Sequence, residues 1–131
     1  METNKDLILR QIRILSDFLV GLSKQKKVDS EEISIFINEF LIKNFCLTLE
    51  LLLEKPPKEI ENIIAKNNVE DINNFADILF LKYRTETNEL RQNILSNIII
   101  HLYQSYQNKS GTYSFEIQSK INQILEKENI S

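Results

Sequence analysis

His101 is the only imidazole in the 131-residue sequence, so any acid–base or nucleophilic chemistry by a histidine would depend on it. Helical spacing places it one turn after Asn97 and one turn before Ser105, at the margin of an apolar face. A functional His101 would also need a carboxylate from another helix to orient its ring. The alternative, which we favour, is a partly buried structural histidine satisfied by a hydrogen bond.

Cysteine and glycine are too scarce to build the common metal and phosphate sites. Cys46 is the only cysteine, which excludes an intramolecular disulfide and a cysteine-based zinc site, and its apolar neighbours predict a small buried side chain. Neither a His-Glu-x-x-His zinc motif nor a Glu-x-x-His motif of the di-iron bundles occurs. Two glycines, Gly21 and Gly111, cannot form a glycine-rich phosphate loop. We therefore expect no catalytic residue, no metal and no cofactor.

Charged side chains are numerous, but their pattern indicates solvated surfaces. The carboxylates cluster at predicted helix starts and on polar faces, where they are solvated and favoured by the helix dipole. The conspicuous ones are Glu31, Glu32, Glu50, Glu54, Glu59, Glu61, Glu70 and Asp71. A net charge of −3 offers no general attraction to nucleic acid or to an anionic membrane. The one basic cluster in the sequence, Lys24-Gln25-Lys26-Lys27, is typical of a helix C-terminus. Its alternatives are a phosphate- or acid-binding patch and a nucleic-acid accessory role.

Tyrosines are the remaining residues with a polar tip that could bind something. At helical spacing a tyrosine is more often a core residue whose hydroxyl reaches a partner. Tyr103 and Tyr113 could instead line the rim of a groove near the Gly111 loop. The predicted partner-binding residues are Tyr103, Tyr106, Tyr113 and Phe115.

The elements that must position these residues are helices. The first should run from about residue 6 to residue 24, with one apolar arc formed by Ile8, Ile12, Leu15, Leu19 and Leu22. So wide an arc, flanked by further apolar residues, predicts packing against several neighbours or against a second copy of the protein. We assign self-association, as a homodimer, to this arc. Arg10, Arg13 and Asp17 interrupt the stretch, so we expect that it does not span a bilayer, and residues 1–6 lack the basic lead and the cleavage site that are typical of a secretory signal.

Five further segments show helical periodicity, and none shows the alternation of a strand. The second should begin at Asp29 or Ser30 and continue, either straight or with a bend, to Pro56. It is predicted as an interior helix with two apolar faces, and the second face holds Ile35, Ile42, Cys46 and Leu49. The third begins at Pro57. A fourth follows Asn68, with inward residues Ile72, Phe75, Ile78, Leu79 and Tyr83. The fifth runs from about Glu86 to Gln107, with inward residues Leu90, Ile94, Leu95, Ile98, Ile99, Leu102 and Tyr106. After a loop at residues 108–111, Thr112 or Ser114 caps the last helix.

These elements predict an all-α fold of five to six antiparallel helices in a single domain over residues 1–131. The length suits one domain, and 42% hydrophobic with 27% charged residues is typical of a folded globular protein.

Two short stretches near the ends of the sequence are distinctive: Asp6-Leu7-Ile8-Leu9-Arg10-Gln11-Ile12, and Thr112-Tyr113-Ser114-Phe115-Glu116 with Lys120-Ile121. They resemble the opening and the closing helix of an uncharacterised family of small all-helical bacterial proteins. Phe75-Ala76-Asp77-Ile78-Leu79 and residues 94–103 resemble its tetratricopeptide-like C-terminal helix pair, although Ile98 and Ile99 stand where such repeats use small residues. Tetratricopeptide repeats stack into surfaces that hold partner segments. The resemblance therefore implies a compact bundle with one such pair and a role in partner binding.

Elimination and resemblance together predict a non-enzymatic protein–protein interaction module of a bacterial cytoplasm. It would either self-associate through the first helix or hold a protein partner between the last helices, without binding nucleic acid or membrane. The alternative is a small ligand-binding protein or enzyme, with a site in the bundle interior around His101, Tyr103 and a carboxylate.

Overall fold

The computed structural model of the chain describes residues 30–64 and 69–130, together with Arg10 and Asp17. Six helices lie in the two ranges, and no strand does, which confirms the all-α prediction. They are α1 (Ser30–Phe45), α2 (Leu49–Leu53), α3 (Pro57–Ile64), α4 (Glu70–Thr85), α5 (Glu89–Ser110) and α6 (Phe115–Ile130). None of these six combines the length and apolar character that a membrane crossing requires.

The predicted first helix falls almost wholly outside the described residues. Arg10 and Asp17, two of the charged residues that interrupt its apolar stretch, are helical and exposed. The self-association arc and the basic cluster at residues 24–27 lie outside the described residues, so both remain predictions.

An antiparallel hairpin of α4 and α5 forms the centre of the described fold. Residues 86–88 connect the two helices, as predicted for this region. Near the connection, Gln92 Nε2 donates a hydrogen bond to the Glu86 carbonyl at 2.7 Å. At the far end the Tyr106 hydroxyl donates to Glu70 Oε1 at 3.1 Å. The predicted inward residues of α4 are all buried.

Three other helices each cover this hairpin with one apolar face, and α2 packs against α1. α1 packs on α4, α3 packs on both α4 and α5, and α6 packs on α5. The buried side chains that make these contacts are Ile33, Ile37, Phe40 and Leu41 of α1, Ile60 and Ile64 of α3, and Ile117, Ile121 and Ile124 of α6.

The helix that begins at Ser30 ends at Phe45, and a second helix begins at Leu49. The prediction of one helix that reaches Pro56 is therefore wrong. Cys46 adopts a left-handed conformation with φ of 52°, and its N–H donates to the Ile42 carbonyl at 3.2 Å, which ends α1. Thr48 then caps α2, because its Oγ1 accepts a hydrogen bond from the Leu51 N–H at 3.2 Å. The prediction of a buried Cys46 is also wrong: the thiol is exposed on this turn.

Two helices bury fewer of their apolar residues than predicted. Ile35 and Ile42 are about half exposed, so α1 buries a single face and is not an interior helix. Leu90 is exposed because it lies in the first turn of α5, whereas the fully buried residues of that helix begin at Leu95.

The last loop begins later in the chain than predicted and covers residues 111–114. α5 continues through Ser110 and ends at Gly111, whose φ of 69° and N–H donation to the Gln107 carbonyl at 3.0 Å form a left-handed cap. Of the two predicted caps of α6, Ser114 makes the hydrogen bond: its Oγ accepts from the Ile117 N–H at 3.3 Å.

Candidate functional site

A buried glutamate joins α3 to one polar stripe of α5. Glu61 has an exposed fraction of only 1%. His101, Ser105 and Lys109 follow one another at intervals of four residues, so they share one face of α5. We call Glu61 with Lys58 and these three residues the Glu61 cluster.

The cluster places four donors on the two oxygens of one carboxylate. His101 Nε2 lies 2.7 Å from Glu61 Oε1. Lys109 Nζ contacts Oε2, and Lys58 Nζ lies 3.4 Å from that same oxygen. The Ser105 side chain adds a further hydrogen bond. A buried charge that is paired and hydrogen-bonded in this way is retained in its ionised form.

The pKa of Glu61 reflects two opposing effects. Burial is the largest single effect and raises the pKa, but hydrogen bonds from Lys109, Ser105 and His101 and the charge of Lys109 together outweigh it. The pKa falls from 4.5 to about 2. An ionised carboxylate only accepts hydrogen bonds, so His101 donates through Nε2 and keeps Nδ1 as the acceptor nitrogen when the ring is neutral.

Glu61 is the carboxylate from another helix that a functional His101 would need. Tyr103, however, does not join this cluster. It lies two residues further along α5, on a different face, and its hydroxyl donates to Asp77 Oδ1 of α4 at 2.5 Å. The predicted grouping of His101, Tyr103 and one carboxylate is therefore wrong, because each of the two residues has its own carboxylate.

The Tyr103 hydroxyl belongs to a second polar cluster, which ties α6 to α4 and α5. Lys120 Nζ lies 2.9 Å from Asp77 Oδ1 and 5.8 Å from the centroid of the Tyr103 ring. Burial, reinforced by the neighbouring Asp77 carboxylate, raises the pKa of the Tyr103 phenol. A polar cavity of about 210 Å³ lies beside this cluster, lined in part by Asp77, Lys120, Tyr106 and Glu116.

An exposed aromatic pair lies at the start of α6: Tyr113 precedes the helix, and Phe115 is its first residue. Phe115 is 85% exposed and Tyr113 is 63% exposed, and their ring centroids lie 5.6 Å apart in an edge-to-face arrangement. The pair borders an open groove of about 560 Å³ along the outward side of α6, and the other groove residues are Gln118, Ser119, Asn122, Gln123 and Glu126. We call these residues, with Tyr113 and Phe115, the α6 face.

The four predicted partner-binding residues therefore occupy different environments. Tyr103 is completely buried and presents no surface, which corrects its predicted place on a groove rim. Tyr106 is half-buried, with its hydroxyl on Glu70. Tyr113 and Phe115 are exposed together, and their role in partner binding stays a prediction.

Sequence reasoning missed Glu61, which it assigned to a solvated face. The available signal was a charged residue between Ile60 and Ile64 on a short amphipathic helix, matched by the polar stripe of α5. Among the described residues, no group of three or more histidine, cysteine or carboxylate side chains could hold a metal ion.

Comparison of the chain with protein family models, with curated proteins and with solved structures gives no match.

Proposed function

We propose that this protein is a non-enzymatic helical interaction module that binds a polypeptide partner through the α6 face. The observation that carries the proposal is the exposure of the Tyr113–Phe115 pair. A phenylalanine that is 85% exposed buries almost none of its apolar surface within the chain. Covering it with a partner would release that surface from water, and aromatic residues are enriched at protein interfaces for this reason.

The groove beside the pair indicates the chemistry of the partner. Between the aromatic end and Glu126, its side chains are amides and a hydroxyl without charge. Such a surface suits a segment that places an apolar side chain on the rings and offers backbone amides to Gln118 and Asn122. It offers no cation to the phosphates of a nucleic acid or an anionic lipid.

Site-specific photo-crosslinking in native cells tests the proposal. A benzophenone amino acid at position 115 should form an adduct with one dominant protein, and Tyr113→Ala in the same chain should reduce its yield severalfold. The matched control carries the benzophenone at position 90, because Leu90 is also an exposed apolar residue but lies outside the α6 face. Equal adducts from both positions, or no adduct from position 115, would contradict the proposal.

Self-association through Ile8, Ile12, Leu15, Leu19 and Leu22 is the other route within this proposal. We expect Leu15→Glu to reduce a dimer mass to a monomer mass in sedimentation equilibrium, while Phe115→Ala leaves the mass unchanged. A concentration-independent monomer mass for the unmodified chain would remove this route. The proposed setting is a bacterial cytoplasm, and the proposed relatives are the small helical proteins with a tetratricopeptide-like pair.

A further inference from the structure

We infer that the Glu61 cluster binds a small phosphate-type oxyanion between Lys58 and Lys109. This inference shares no residue with the α6 face and is independent of the interaction proposal.

The first step is the charge of the cluster. Two ammonium groups contact the same atom, Glu61 Oε2, and they belong to different helices, α3 and α5. Within residues 30–64 and 69–130, Glu61 is the one carboxylate that forms an ion pair with either lysine, so two positive charges share one negative charge even with a neutral His101. In a chain of net charge −3, this local excess is opposite in sign to the whole molecule.

The second step is the order of burial. Glu61 is 1% exposed, whereas the side chains of Lys58 and Lys109 are 64% and 46% exposed. An anion that arrives from solvent therefore meets the ammonium groups before the carboxylate. Each ammonium has three N–H donors, so the contact with Glu61 leaves donors on both lysines for a ligand.

The third step is the class of ligand. Because both ammonium groups are held at one oxygen atom, they lie close enough for two oxygens of a single phosphate to reach them. Charge-assisted hydrogen bonds of this kind are short and strong, and a dianion gains more from two cations than a monocarboxylate does. Two lysines suffice for one phosphate group but not for a polymer backbone, whose binding needs many such contacts. The ligand is accordingly a small soluble phosphate compound.

A titration of the full chain with inorganic phosphate, followed by NMR, tests this inference. His101 is the only histidine, so its ring signals report on the cluster without ambiguity. At about pH 8 phosphate is mainly dianionic. At constant ionic strength, we expect the ring signals to shift with a saturable, millimolar midpoint. Acetate should saturate at a concentration about tenfold higher or more, as expected for its lower charge.

Substitutions at the two lysines locate the site. Lys58→Gln and Lys109→Gln should each weaken phosphate binding about tenfold or more, the loss expected for one charge-assisted hydrogen bond. Lys58 is mostly exposed, so its variant should fold normally. The matched control is Lys55→Gln, which removes a lysine that pairs with Glu59 at 3.4 Å and should leave the midpoint unchanged. A shift that grows linearly with phosphate, an equal midpoint for acetate, or equal midpoints in all three variants would overturn the inference.

Discussion

At the residue scale, burial separates two glutamates of α3 that look alike in the sequence. Glu59 is half exposed and pairs with Lys55. Glu61 is buried, and its carboxylate accepts hydrogen bonds from several side chains. We expect Glu61→Gln to lower the free energy of unfolding by about 1–3 kcal/mol at neutral pH, because it removes charge-assisted hydrogen bonds from a desolvated site. Glu59→Gln should change it by about 0.5 kcal/mol or less, as is usual for exposed pairs. Urea denaturation of both variants measures the difference, and equal effects would contradict the structural role of burial.

The phenol of Tyr103 should make the folded state sensitive to alkali. Its pKa is raised, first by burial and then by Asp77, so the folded state favours the protonated phenol. Stability from this source is fully present below the unfolded pKa of about 10 and is lost as pH rises above it. Tyr103→Phe, which cannot ionise there, should therefore lose less stability than the unmodified chain between about pH 9 and pH 11.

Urea midpoints of the two chains across that range measure this effect. At neutral pH the free energy of unfolding of Tyr103→Phe should be lower by about 0.5–1.5 kcal/mol, the usual contribution of one hydrogen bond. Tyr113→Phe is the control, because that ring is exposed. Parallel alkaline curves for Tyr103→Phe and the unmodified chain would refute the expected linkage.

At the scale of elements, the junction of α1 and α2 depends on a strained residue. Cys46 has a φ of 52°, a conformation that costs a residue with a Cβ about 1 kcal/mol and costs glycine little. We expect Cys46→Gly to raise the free energy of unfolding by up to about 1 kcal/mol and to raise the melting temperature. Cys46→Ser keeps the Cβ and should leave both unchanged. A Cys46→Gly chain that melts at a lower temperature would show that the side chain contributes more than the backbone strain.

The same junction shows where sequence reasoning about elements stops. Apolar periodicity predicted the buried face of α4, because a 3.6-residue period reports directly on packing. It did not predict the end of α1, where the left-handed cap is a cysteine and neither glycine nor proline marks the break. Helix-end chemistry also left two choices for the cap of α6, and only the hydrogen bond of Ser114 decides between them.

The candidate sites also differ in whether local sequence could predict them. Tyr113 and Phe115 could be selected as candidate residues because they lie just after the Gly111 loop, and their role in partner binding stays a prediction. Glu61 and His101 are 40 residues apart, and their contact depends on how α3 packs against α5. No local sequence pattern predicts that contact. A single sequence could indicate the polar stripe of α5, but not which carboxylate would face it.

At the scale of the whole molecule, acid acts on stability through two separate routes. Below the ordinary carboxyl pKa the net charge rises from −3 towards about +17, set by 16 lysine and arginine side chains and one histidine. This repulsion affects every variant alike. The second route is specific, because the pKa of Glu61 is lowered and so is that of Glu86, in which burial is outweighed by the buried Lys82 at 2.7 Å and by the Asn88 N–H.

For Glu61, the lowered pKa fixes both the direction in which stability changes with pH and the pH range of that change. A lowered folded-state pKa contributes stability that is present above the unfolded value of 4.5 and lost as pH falls through about 2. The shift corresponds to at most about 3 kcal/mol, reduced by solvent screening of the two lysines. Glu61→Gln lacks this contribution at every pH. Its urea midpoint should therefore start lower at neutral pH, fall less steeply on acidification, and meet that of the unmodified chain near pH 2. Glu59→Gln should follow the unmodified chain throughout, and a Glu61→Gln curve that stays parallel to it would show that the Glu61 cluster does not couple protonation to folding.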